Sequence, residues 1–245
     1  MRWVFLLAFA VFAAGCAKQE PAPPAEEYFQ PDPAAAATVR GKAIFEGKAP
    51  RAQRISMDAE ADCVKLHAKP VYDERLMVAK DGGLANVFVY VKSGLEGKRF
   101  PPAGQAVVLE QRGCQFLPRV IGIRTGQTLA VKNLDPVSHN VHPTPSENRD
   151  WNQHQTPGAP DIERRFARPE VMIPVKCNIH AWMRSYIGVL DHPYAQVTGI
   201  EGEFELAGLP PGRYTIAAWH EALGESVQTI ELAPKARETL RFMFR

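Results

Sequence analysis

Cysteine is scarce in this chain, with 4 in 245 residues, too few for a fold built on disulfides. An excess of charge of either sign is missing too. Lys and Arg number 29 against 27 Asp and Glu, a net charge of +2. Without a basic stripe the chain is not built to follow a nucleic-acid duplex, and no nucleic-acid partner is expected. Long apolar runs are lacking. The one marked run, near the N-terminus, covers about a dozen residues, short of the ~20 a membrane-spanning helix needs. There is no G-x-S-x-G elbow, phosphate-binding loop or dinucleotide fingerprint. His220-Glu221 is followed by Gly224 where a zinc-protease motif needs its second histidine, so that chemistry is unsupported. What is present is ordinary globular material, 45% hydrophobic and 23% charged, enough for one large or two small domains. Proline (21) outnumbers glycine (18), which suits strands and loops better than a helical bundle.

Residues 1–16 read MRWVFLLAFAVFAAGC. One positive charge, an apolar run and Ala13-Ala14-Gly15-Cys16 form an export signal. It resembles a bacterial lipoprotein signal, with Ala13 where leucine is usual. The resemblance implies removal of residues 1–15, lipid on Cys16 and a membrane anchor facing the periplasm or cell surface. Plain secretion, with cleavage after Ala10, is the competing reading. Residues 17–37 hold five prolines and end in four alanines, and 16–37 reads as a tether that cannot bury a core. Ordered structure is expected from about Thr38.

Cys63, Cys114 and Cys177 then remain. Three thiols cannot all pair within one chain in an oxidising compartment. The residues around Cys177 suggest why one is left over. Cys177-Asn-Ile-His180-Ala-Trp-Met183 lies between two strand-like runs, Val171–Lys176 and Ser185–Leu190. A thiolate, an imidazole and a thioether thus share one short loop. Upstream, His139-Asn140-Val141-His142 follows the strand-like run Gln127–Lys132. Two His and one Cys with a weak Met are the ligand set of an electron-transfer copper site. Zinc is the poorer fit, because Met is a poor zinc ligand. His142 stands at an odd offset from His139, so on a strand it faces the other way.

These residues resemble the cupredoxins, the small blue copper proteins, and the C-x2-H-x2-M spacing is similar to that of the amicyanins. Cys114-Gln-Phe116-Leu-Pro118 through Gly126 is similar to the opening of the family, where an aromatic and a proline precede a strand and a glycine turn. The resemblance covers roughly residues 105–193. It implies a Greek-key β-sandwich and one mononuclear copper held by His139, Cys177, His180 and Met183. It also implies a supporting role for Asn140. An electron carrier of this kind is expected to pass its electron through the His180 edge at the surface, with Trp182 either widening an apolar docking patch or packing inward. Cys63 and Cys114 are then the candidate disulfide. The rival reading puts Cys63 and His67 on one helical face as metal ligands. A disulfide through Cys177 also stays open. His154, His192 and His220 have no evident ligand partners.

After Tyr194 the pattern changes. Phe204-Glu-Leu-Ala-Gly-Leu alternates with period two, and Pro210-Pro211-Gly212 turns into Tyr214–Trp219. Further strands are expected at about Ser226–Leu232 and Glu238–Phe244. This G-x-F-x-L-x-x-L-P-P-G-x-Y stretch resembles the carboxypeptidase regulatory-like domains, non-catalytic transthyretin-like sandwiches. Their usual opening strand has a counterpart far upstream, at Val39–Pro50. An all-β chain of two sandwiches is therefore expected. Residues 38–95 and 194–245 would form the discontinuous transthyretin-like sandwich, with 96–193 inserted as the copper domain; a linear order is the alternative. The expected function is an exported electron carrier, not an enzyme, that meets a redox protein partner in the cell envelope. Copper storage or delivery competes with it, as does an envelope carbohydrate- or protein-binding module with a vestigial copper site.

Overall fold

The computed structural model describes residues 27–245. The signal segment, Cys16 and most of the tether lie outside them. Along the chain come β1 (Ala37–Phe45), a short helix α1 (Ala61–Lys65), β2 (Phe88–Ser93), β3 (Val107–Gln111), β4 (Phe116–Leu117), β5 (Val120–Arg124) and β6 (Leu129–Asn133). Then follow β7 (His139–Pro143), β8 (Gln153–Gln155), β9 (Ile162–Arg164), β10 (Glu170–Lys176), β11 (Arg184–Leu190) and β12 (Ala195–Val197). The last four strands are β13 (Glu203–Leu209), β14 (Gly212–His220), β15 (Gly224–Leu232) and β16 (Arg237–Phe244). The chain is all-β.

The strands form four sheets, in the orders β13-β1-β16, β12-β2-β14-β15, β5-β11-β10-β7-β8 and β4-β3-β6-β9. Side chains alternate faces along a strand, and here that alternation stacks the sheets in layers. Val89 and Val91 of β2, with Tyr214, Ile216 and Ala218 of β14, face the first sheet and close a core with Val39, Phe204 and Phe242. Phe88, Tyr90 and Ala217, on the opposite face of the same two strands, meet Val120 and Leu190. Ile121 and Ile123 of β5 and Ile187 and Val189 of β11 point the other way, into a second sandwich core with Leu109, Leu129, Val131 and Val175.

The contact between the sandwiches depends on two glycines. A Cβ on Gly188 would lie 2.6 Å from the Phe88 ring, and one on Gly122 would lie 3.0 Å from it. Bare backbone there lets Phe88 be fully buried, a contribution of about 1.5–3 kcal/mol. Arg119 and Glu221 pair across the same junction, with the Arg119 Nη2 to Glu221 Oε2 bond at 2.9 Å.

β1 pairs antiparallel with β13 and parallel with β16. The first strand of the body therefore lies between two strands from the end of the chain. The segment between β1 and β2 divides its allegiance. Leu76, Val78 and Leu84 join the first core, whereas Ile55, Met57, Cys63, Leu66 and Val71 join the second. The residues around Cys63, expected with the rest of 38–95, thus pack in the second core. The physical reason is a crosslink. Cys63 and Cys114 form a disulfide with a Cα–Cα distance of 5.7 Å. Closing this 51-residue separation stabilises the fold by about 4 kcal/mol in the chain-entropy account.

The expected tether is also ordered at its end. The Phe29 amide donates to Arg99 O at 2.6 Å, and its ring stands edge-on to Phe100 at 5.6 Å. Aromatic burial anchors a segment that its proline content marks as extended.

Candidate metal centre

β7 and β10 pair antiparallel, with Val175 opposite Pro143 and Lys176 opposite His142. Carried two residues further, that register sets Asn140 against Asn178. The Asn178 amide donates to Asn140 Oδ1 at 2.6 Å, and the Cys177 thiol donates to the same oxygen at 3.3 Å. Asn140 thus ties the strand carrying His139 to the loop carrying Cys177. That loop is closed on itself. Met183 N donates to His180 O at 3.0 Å and Cys177 N to Met183 O at 3.3 Å, while His180 N donates to Cys177 Sγ at 3.4 Å.

His139, Cys177, His180 and Met183 are all buried, at 0, 3, 3 and 1% exposure. The ligand atoms of His139, Cys177 and His180 lie within 4.8 Å of one another. The two Nδ1 atoms are 3.0 Å apart, and Cys177 Sγ is 3.8 Å from His180 Nδ1. Met183 packs in the same core cluster as Cys177. Cys177 is the free cysteine among the described residues.

Asp135, which the sequence pattern did not single out, orients the first histidine. Its Oδ2 is 2.9 Å from His139 Nε2. A carboxylate there makes Nε2 the protonated nitrogen and leaves the Nδ1 lone pair for the interior. Asp135 is itself pinned. The amides of Gly113 and Cys114 donate to its two oxygens at 2.6 and 2.8 Å, and its own amide donates to Asn133 Oδ1 at 3.0 Å. Both Gly113 and Cys114 have positive φ, 60° and 53°. That turn aims two consecutive amides at one carboxylate.

His180 is oriented by a different neighbour. Its Nε2 lies 3.6 Å from Cys63 Sγ of the disulfide, and its ring is 5.2 Å from Trp182. The half-buried Trp182 donates its indole N–H to Cys114 O at 2.9 Å, so it packs inward. The expectation of a solvent-facing His180 edge is corrected: the disulfide and α1 cover it. If Nε2 carries the His180 proton toward the disulfide sulfur, the second Nδ1 lone pair faces the first. Two such lone pairs repel at 3.0 Å, so the arrangement calls for a proton or a cation between them.

The charges agree with that demand. Burial works against a charged His139, yet Asp135 and the Cys177 sulfur outweigh it and raise the imidazole above its ordinary value. Burial also opposes a Cys177 thiolate, but His139 and the amides of Asn140, His180 and Ile179 hold its pKa below the ordinary value. Burial and then the His139 charge push His180 down. Asp135 stays below its ordinary value because His139 and two amides overcome its burial.

The remaining histidines serve elsewhere. His67 Nε2 is 2.8 Å from Gly113 O, so with Cys63 in the disulfide no Cys63–His67 ligand pair exists. His142 contacts Asn178 and Asp150, each at 3.3 Å. His154 is exposed on β8. His192 Nε2 is 2.9 Å from Val91 O, and His220 Nδ1 accepts from the Ala222 amide at 3.3 Å.

No family model and no curated protein matches this chain. Solved structures that resemble it include a Cu-containing nitrite reductase (NirK) from Thermus scotoductus SA-01, at 20% identity and TM-score 0.32. That match covers 38% of this chain and 24% of the reductase, so the chain spans about a quarter of that protein. A purple cupredoxin from Nitrosopumilus maritimus matches at 20% identity and TM-score 0.27, covering 31% of this chain and 81% of that one. An amicyanin from Paracoccus versutus matches at 20% identity and TM-score 0.31, covering 41% and 96%.

Proposed function

We propose that this chain is an exported electron carrier with one copper ion held by His139, Cys177, His180 and Met183. The observation that carries the reading is the convergence of two imidazole Nδ1 atoms and one thiol sulfur within 4.8 Å in a buried space. Two nitrogens, a soft thiolate and a thioether fit copper better than zinc. Copper bound there supplies storage of a single electron, by alternating between Cu(I) and Cu(II).

The protein's own residues do the rest. Asp135 and the disulfide fix the two imidazoles, Asn140 fixes the sulfur loop, and burial excludes water. A preset frame keeps the ligand geometry nearly constant when charge changes, which favours fast outer-sphere transfer. Because His180 is covered, the half-exposed Trp182 beside it is the route to the surface. Ile179, Leu134 and Val64, at 46, 47 and 42% exposure, each adjoin a site residue in sequence. They offer apolar surface to a redox protein partner.

Residues 1–15 act as an export signal, and lipid on Cys16 anchors the protein to a membrane on the periplasmic or outer face. No helix among the described residues is long and apolar enough to cross a membrane. Residues 38–95 and 194–245 form an accessory sandwich of the transthyretin-like kind, less the part around Cys63 that packs with the copper module at 96–193.

Copper delivery would use the same ligands, and one pair of measurements separates the two. The copper-loaded chain should give a reversible one-electron wave in voltammetry and keep its copper against a competing chelator for hours. Rapid loss to the chelator without a reversible wave would favour delivery.

A further inference from the structure

Cys63 and Cys114 do more than staple the fold. Both are buried, at 1 and 0% exposure, and both touch the machinery of the centre. Cys63 Sγ lies 3.6 Å from His180 Nε2. The Cys114 amide donates to Asp135, and its carbonyl accepts the Trp182 indole N–H. The ligand atoms of Cys63, Cys114 and His180 lie within 4.8 Å of one another, as do those of His139, Cys177 and His180. His180 belongs to both groups. Its ring stands between them, with Nδ1 toward Cys177 and His139 and Nε2 toward the disulfide.

We propose that reduction of the Cys63–Cys114 disulfide creates a second, soft-metal site for Cu(I), adjoining the first across the His180 ring. The S–S bond takes up two electrons and two protons from a dithiol, which becomes a disulfide in turn. Cu(I) then binds the two sulfurs and displaces both thiol protons. Soft thiolates suit Cu(I). A neutral imidazole has one lone pair, and His180 directs it through Nδ1 at the first site. The second ion is therefore held by the two thiolates, with the His180 Nε2–H edge against them. The disulfide thus sets copper capacity at one ion when oxidised and two when reduced. The second site abuts the His180 ring of the proposed copper centre but does not depend on Cys177.

The test is an anaerobic titration of the purified full chain with Cu(I) against a coloured Cu(I) chelator, before and after treatment with a phosphine reductant. The expected result is one tightly held Cu(I) per chain before reduction and two after it. Free thiols, counted in parallel, should rise by two. Cys177→Ser should lose the first ion and, once reduced, keep the second. The double variant Cys63→Ser/Cys114→Ser should hold one ion under both conditions. If Cys177→Ser leaves the oxidised stoichiometry at one while reduction still adds an ion, the electron-carrier reading fails and the second site stands. A reduced chain with two new thiols that still holds one Cu(I) overturns the proposal. So does a second ion that persists in the double serine variant. Loss of β-sheet circular dichroism on reduction also overturns it, because the site needs the folded frame.

Discussion

Asp135 Oδ2 lies 2.9 Å from His139 Nε2, and two further amides hold that carboxylate in place. The pair sets which nitrogen of His139 faces the interior. Replacing Asp135 by Asn keeps the shape but removes the charge and lets the amide turn either way. We expect Asp135→Asn to weaken Cu(II) binding about 10- to 100-fold. The reduction potential should rise, because an anion near the site favours Cu(II). Competition binding and voltammetry check both.

Asp135 also shows why part of the site is not legible in sequence. His139, Cys177, His180 and Met183 can be read because strand periodicity brackets their loops and the Cys-x2-His-x2-Met spacing is short. A carboxylate in the β6–β7 loop carries no such pattern. Its position is set by an Asx turn from Asn133 and by amides more than twenty residues upstream. The cover over His180 is equally hidden. Cys63 reaches it from α1, a helix of five residues whose place follows from the crosslink rather than from its own sequence. The strands are more legible: β13 alternates with period two because one face is exposed, and β2 reads as a continuous apolar run because both its faces are buried.

Arg119 and Glu221 test the junction between the sandwiches. Their side chains are 11 and 3% exposed, and without Glu221 the buried Arg119 keeps only its longer contact to Asp73, at 3.7 Å. Glu221→Ala should cost about 3–5 kcal/mol. A urea melt measures this, and a cost under about 1 kcal/mol would place the pair in effective contact with water.

Gly41 tests the pairing of the first strand. A Cβ there would meet Leu240 O at 2.2 Å and the Phe204 ring at 2.5 Å. The carbonyl belongs to the neighbouring strand and cannot move without breaking the β1–β16 ladder. Gly41→Ala should therefore destabilise by about 1–3 kcal/mol, the usual cost of overpacking, again read from the urea midpoint.

His220 supplies a pH dependence. It is fully buried, and burial lowers its pKa to about 4. An unfolded histidine titrates near ~6.5. The unfolded chain therefore binds this proton more readily, and the stability His220 contributes is fully present above about pH 6.5. It is lost as pH falls toward 4, a change of about 3 kcal/mol. In His220→Asn, which retains an acceptor for the Ala222 amide, the slope of stability against pH over this window should shrink. Urea melts at pH 7, 5.5 and 4.5 measure it.

The copper centre itself can be read from the visible spectrum of the purified chain with one equivalent of Cu(II). A strong thiolate-to-copper band should appear, saturate at one copper per chain and vanish in Cys177→Ser. A chain that binds no copper, or a band that survives in Cys177→Ser, would contradict a copper centre at Cys177.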